Sequence, residues 1–203
     1  MSARAELQPA ADQRLIALAA AHIRRFGAAR TTIVGVAAEA GMSHANVYRY
    51  FPSKTGLLDA VTAHWLLPLE MRLQSTAQGA DPAYDKLERI LSDAQRTYAD
   101  KLESDPQLFA LFAAAVDKSR SVARKHRARL QGEVQRVVDE GMGNGVFAIA
   151  DQKRAMALVF DMTHRFLQPA SVIADAGQPR AAMQARFDWV TRLLLRALRS
   201  GRV

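Results

Sequence analysis

The sequence predicts an all-α protein. A small N-terminal three-helix module with a helix-turn-helix is followed by a larger C-terminal helical bundle, about nine helices in total. Three observations carry this reading. Alanine, the best helix former, supplies 38 of 203 residues. β-Branched residues never build the alternating run that a half-buried strand needs. Pro and Gly fall mostly between periodic segments, at Gly27, Gly41, Pro52, Gly79 and Pro82, Pro106, Gly141 to Gly145, Pro169, and Gly177 with Pro179.

Helices are expected over roughly 12–26, 33–40, 44–50, 53–77, 82–104, 106–118, 120–142, 152–171 and 180–199. In the first, Leu15, Ala19, Ile23 and Phe26 recur on one face of a 3.6-residue helix, while Arg14, Arg24 and Arg25 lie off that stripe. Asp12 is placed to cap its start and Gly27 to end it. Thr31 or Thr32 caps the second, whose inward face is Ile33, Val36, Ala37 and Ala40. Gly41 permits the positive φ of a tight turn, Met42 plugs inward, and Ser43 caps the third. Pro52 stops that helix and Ser53 caps the next. Later helices are longer, and the last repeats the stripe with Phe187, Val190, Leu194 and Leu198. The change in length places a boundary between a module over 1–54, with 1–10 as an arm, and a bundle over 55–203.

Charge singles out the module. Lys and Arg number 28 against 20 Asp and Glu, a net +8. Residues 1–54 hold seven basic and three acidic side chains, and the remaining 149 residues hold 21 and 17. The module is therefore nearly three times as positive per residue, which favours nucleic acid as partner. Zero Cys excludes disulfide scaffolds, thiolate metal sites and cysteine nucleophiles. MSARAELQPA has no apolar run, so no secretory signal is expected. No apolar window approaches the ~20 residues of a membrane span, and a cytoplasmic chain without a membrane partner is expected.

The informative stretch is TTIVGVAAEAGMSHANVYRYFPSKTGLLDA, Thr31 to Ala60. Two short helices joined by a three-residue turn containing Gly have the helix-turn-helix pattern, and Ala37, Ala38 and Ala40 let them approach closely. The second of these helices exposes Ser43, His44, Ala45, Asn46, Tyr48, Arg49 and Tyr50, too little apolar surface to be core on every side. In a helix-turn-helix its first residues reach base edges in the major groove. Asn46 suits adenine N6 and N7, Ala45 a thymine methyl, and His44 either donates or accepts. The Tyr48 and Tyr50 hydroxyls suit phosphate oxygens. Lys54 at the next helix's positive end adds a phosphate clamp.

The run GMSHANVYRYFPSKTGLL, after an amphipathic helix ending RFG and a TT pair, resembles the DNA-binding domain of the TetR (tetracycline repressor) family of bacterial transcriptional regulators. The likeness covers about residues 12–62. It implies a homodimer whose two recognition helices read a palindromic operator in double-stranded DNA. On matching positions, His44, Ala45 and Asn46 would read bases, and Thr32, Tyr48, Tyr50 and Lys54 would contact the backbone. Val34 and Gly35 depart from the family, which often has Arg or another polar residue there. Asn46 replaces the usual small residue and Tyr50 the common His, so the operator sequence is this chain's own.

The resemblance further implies that residues 55–203 bind a small-molecule effector and dimerise, through a largely apolar pocket with a few polar groups. Candidate lining residues are Trp65, Phe109, Phe112, Phe160 and His164; other polar candidates are Asp161, Thr163, Tyr98 and Gln168. The last two long helices are the expected dimer surface, with Phe166, Phe187, Val190 and Leu194 supplying apolar area for a four-helix interface. The basic run Lys118 to Arg129 reads as a solvated helix face.

Other classes fit less well. A di-iron enzyme needs two inward Glu-x-x-His pairs; the chain has none, only Asp161-x-x-His164. It also lacks H-E-x-x-H, a glycine-rich phosphate loop and G-x-S-x-G, so no enzyme, metal or cofactor is expected. A non-specific basic module explains the charge but not the order of residues from Thr31 to Lys54. The reading that results is a ligand-released, dimeric repressor.

Overall fold

A computed structural model describes residues 7–201; the outer part of the expected arm, residues 1–6, lies outside the described residues. The described chain is helical without strands. Its elements are α1 (Leu7–Arg30), α2 (Ile33–Ala40), α3 (His44–Tyr50), α4 (Lys54–Gln78), α5 (Ala83–Ser104), α6 (Pro106–Asp117), α7 (Ser121–Gly143), α8 (Gln152–Leu167), α9 (Pro169–Ala174) and α10 (Arg180–Ser200). No helix among the described residues is long and apolar enough to cross a membrane.

Two compact units form. One runs through Leu67 and resumes over Asp105–Arg124; the other comprises Pro68–Ser104 and Lys125 onward. In the first, α1 packs on α2 and α6. Its core contains the predicted Leu15, Ala19, Ile23, Ile33, Val36, Ala37, Ala40 and Val47. It also takes in Leu57, Val61, Trp65, Phe109 and Phe112. This unit is larger than the module over 1–54, because α6 returns to α1 from far along the chain.

In the second unit, α5 lies against α8, α9 and α10, and α8 against α10. The buried residues of α5, among them Leu87, Ile90, Leu91, Ala94 and Tyr98, recur at three and four residues and make one face. Leu73, Val134, Val138, Phe147, Val159, Phe166, Phe187, Leu194 and Leu198 complete that core.

Two boundaries differ from expectation for identifiable reasons. The segment 152–171 is two helices, since Pro169 has no N–H to continue the ladder and holds Gln168 extended at φ −89°, ψ 118°. The first helix does not end at Gly27. It runs Leu7–Arg30 around a break at Gly27, whose φ of 78° and ψ of 159° are non-helical. Asp12 therefore lies inside the helix.

A buried lysine ties three helices of the second unit. The Lys86 Nζ, 3% exposed, donates to the Ala77 and Gly79 carbonyls at the end of α4 and pairs with Glu140 of α7. It satisfies carbonyls that the helix end leaves open. Replacing Lys86 by Met strands those acceptors, and we predict a loss of about 1–3 kcal/mol. Urea unfolding of the two proteins measures it.

Candidate nucleic-acid interface

The helix-turn-helix is built from caps. Thr32, in extended conformation, accepts the Gly35 N–H at 3.0 Å and starts α2. Thr31 is buried instead, and its hydroxyl donates to the Gly27 carbonyl at 3.0 Å. Gly41 ends α2 at φ 65°, ψ 30°, where only a residue without Cβ is unstrained. The Met42 N–H then returns to the Ala37 carbonyl. Ser43 accepts the Asn46 N–H at 3.3 Å and starts α3. Ser53 does the same for α4 through the Gly56 N–H, at 3.0 Å.

On α3 only Val47 is fully buried. Ser43, His44, Ala45, Tyr48 and Arg49 are exposed, and Asn46 and Tyr50 are half-buried. Tyr48 is 50% exposed, so it is a surface side chain with its hydroxyl available. Thr32 is exposed at the start of α2, beside Val34 at 54% exposure. A Cβ at Gly35 would stand 3.2 Å from the His22 ring of α1, so a side chain there would press on that ring. His22 in turn has its Nε2 2.8 Å from Glu39 and its ring against Phe26.

Lys54 occupies a place that sequence spacing does not disclose. Its Nζ donates to the Ala29 carbonyl at 2.8 Å, tying the start of α4 to the end of α1. One of its three donors is thus used within the fold.

The aromatic residues expected around an effector divide between the units. Trp65, Phe109 and Phe112 form a buried cluster in the first, edge to face with centroids 6.1–6.4 Å apart. Phe160, half-buried, and His164, exposed, lie on α8 in the second. Asp161 is exposed and Thr163 buried, its hydroxyl donating to the Val159 carbonyl.

Tyr98 belongs to a polar chain whose other members sequence reading missed. The Tyr98 hydroxyl and His126 Nε2 are 2.7 Å apart, and His126 Nδ1 lies 2.8 Å from Glu70 Oε1. Arg129 pairs with the other Glu70 oxygen. Burial raises the Glu70 carboxyl, but hydrogen bonds and charge from His126 and Arg129 outweigh it and hold the group below its usual value. A carboxylate only accepts, so Nδ1 donates to Glu70, while Nε2 on the other side of the ring meets the Tyr98 hydroxyl. Burial, with the Glu70 charge, pushes the Tyr98 phenol up, so it stays neutral. These partners sit on α4, α5 and α7, too far apart in sequence for spacing to reveal.

The residues expected at a dimer surface lie mostly inside. Phe166 and Phe187 pack edge to face at 5.2 Å, Leu194 is fully buried, and Val190 is half-buried. The apolar surface that α10 leaves open belongs to Trp189 and Leu193, 58% and 37% exposed. Among the described residues no group of three or more His, Asp or Glu is placed to hold a metal ion.

A capped pair of short helices presenting a polar face defines a helix-turn-helix protein, and comparison narrows the class. Residues 15–61 match the model of bacterial regulatory proteins of the tetR family, and residues 83–190 match the tetracyclin repressor-like C-terminal domain. The chain belongs to the TetR family. No curated protein sequence matches it. A TetR-family transcriptional regulator from Mesorhizobium loti shares its fold with TM-score 0.69 at 18% identity, over 93% of this chain and 96% of that one. The Bacillus subtilis regulator FadR, solved with stearoyl-CoA, aligns with TM-score 0.66 at 17% identity, over 94% and 99%. SmeT, the repressor of a Stenotrophomonas maltophilia efflux pump, aligns with TM-score 0.66 at 17% identity, over 92% and 89%.

The Glu70 chain makes a pH prediction. The folded-state pKa lies below the usual glutamate value of 4.5, so ionised Glu70 stabilises the fold above that pH, and the contribution fades as the pH falls below it. Glu70→Gln is expected to cost about 1–3 kcal/mol at neutral pH. The gap to wild type should narrow at pH ~3.5 in urea unfolding.

Proposed function

We propose that this chain is a ligand-responsive transcriptional regulator, a repressor that binds a palindromic operator as a homodimer and is released by a small molecule. The observation that carries the reading is α3: its outward side chains are polar, its ends are capped, and its only fully buried side chain is Val47. A helix held this way has its outer face free for the major groove. His44, Ala45 and Asn46 read bases. Thr32, Ser43, Tyr48, Arg49, Tyr50 and Lys54 serve the backbone, Lys54 with the donors that Ala29 leaves over. Such a regulator works in the cytoplasm, on DNA.

Effector release is supported by relatives of the same fold, one solved with stearoyl-CoA and one a repressor of an efflux pump. A largely apolar effector suits the aromatic residues of the chain, with Trp65, Phe109, Phe112, Phe160 and His164 as candidate contacts. By binding one arrangement of the reading heads better than the other, it shifts the population away from the DNA-competent one. Anisotropy titration against DNA flanking the gene tests the reading. Weak binding that ignores sequence and vanishes by moderate salt contradicts it.

Two predictions follow from the assigned roles. Asn46→Ala should cost about 1–3 kcal/mol at particular base pairs, whereas Tyr48→Phe should weaken all sequences alike. Competition binding against single-base operator variants separates them. For assembly, α8 and α10 form the interface, with Trp189 and Leu193 as its outward apolar contacts. Leu193→Glu with Trp189→Ala should yield a folded monomer, read by light scattering and circular dichroism.

A further inference from the structure

Helix α6 lies far in sequence from α1 and the start of α4, yet the residues that flank it are ion-paired to both. At its N-terminal end stands Asp105, which does not cap its own helix. Its carboxylate instead accepts Arg24 of α1 twice, Nε to Oδ1 at 2.6 Å and Nη2 to Oδ2 at 3.1 Å, across 81 residues of chain. Trp65 of α4 donates to the same Oδ2 at 3.3 Å. The first turn of α6 brings Gln107 against Gly27, so closely that a Cβ there would stand 3.1 Å from its Oε1. Gly27 is where α1 breaks and redirects the chain toward α2.

At the other end, Arg120 follows α6 by three residues. Its guanidinium pairs with Asp59 of α4 and donates to the Thr55 carbonyl, in the first two turns after α3. Between the two ends, Trp65, Phe109 and Phe112 fill the space. The segments entering and leaving the reading helix are thus tied to the two ends of one helix.

Magnitudes decide what these pairs are for. Arg24 is half-exposed, and a pair of that kind contributes little to stability. A two-pronged guanidinium–carboxylate contact, however, fixes direction as well as distance. A recognition helix must be held to about 0.5 Å and 10–20° to read its site. We infer that Asp105 and Arg120 are positioning residues for DNA reading: their ion pairs make α6 a splint across α1 and α4 that sets the direction in which α3 is presented. This rests on the regulator reading above and adds to it residues that touch no DNA.

The test uses the full chain, with Asp105→Asn, Arg120→Met, Arg24→Met and the Arg24→Met/Asp105→Asn pair. Three quantities are read: melting temperature, affinity for the operator, and affinity for operators whose half-sites are moved apart or together by one base pair. Asp105→Asn and Arg120→Met should melt only a few degrees lower. They should lose about tenfold in operator affinity and most of the preference for native spacing, while base preferences within a half-site stay unchanged. Arg24→Met should add nothing once Asp105 is changed. Variants that melt lower but bind all three DNAs as wild type does overturn the inference, as do additive effects at Arg24 and Asp105. A wild-type chain that selects no sequence overturns the regulator reading and the positioning role together. Loss confined to the variants cannot be mistaken for that result.

Discussion

The third helix has seven residues and one fully buried side chain, so its place in the molecule rests on what holds its two ends. A helix of this length does not form alone in water, because nucleation costs more than so few hydrogen bonds return. Here Ser43 starts it, the Phe51 N–H closes onto the Val47 carbonyl, and Val47 is buried where α3 packs on α2. The left-handed turn at Gly41 fixes the angle between α2 and α3. Everything outward on α3 is then free of structural duty, and that freedom is what makes a reading surface.

Net charge takes its meaning from this frame. Of the +8, half sits in the first quarter of the chain, the part that carries the helix-turn-helix. In the run from Lys118 to Arg129, read from the sequence as a solvated helix face, Lys118, Arg124, Lys125, Arg127 and Arg129 are all exposed. Two of its guanidinium groups are nonetheless ion-paired, Arg120 with Asp59 and Arg129 with Glu70. Paired guanidinium groups attract DNA less than solvated ones, because their charge is locally offset.

Much of the fold was legible because its signals are local. Thr32, Gly41, Ser43 and Ser53 each act within three residues of themselves, and the stripe Leu15, Ala19, Ile23 follows from helical period alone. What was hidden depends on contacts across the chain. Lys54 reaches Ala29, Asp105 reaches Arg24, and His126 links Tyr98 to Glu70, at separations where one sequence carries no pairing information. The last helix shows a second limit. Phe187, Leu194 and Leu198 form a stripe, but periodicity cannot say whether a stripe faces its own core or another copy. In the fold it faces the core, and Trp189 and Leu193 are left on the outside.

The proposed role of the capped α2–turn–α3 pair is to read a specific symmetric sequence. Selection of bound sequences from random double-stranded DNA by the full-length protein tests it most directly. The expected result is enrichment of a palindrome whose half-site centres lie about one helical turn, 10–10.5 base pairs, or a multiple apart. Changing Asn46 should alter the selected bases. A pool that stays random after repeated rounds, or an enriched site that is unchanged with Asn46 replaced by Ala, would contradict it.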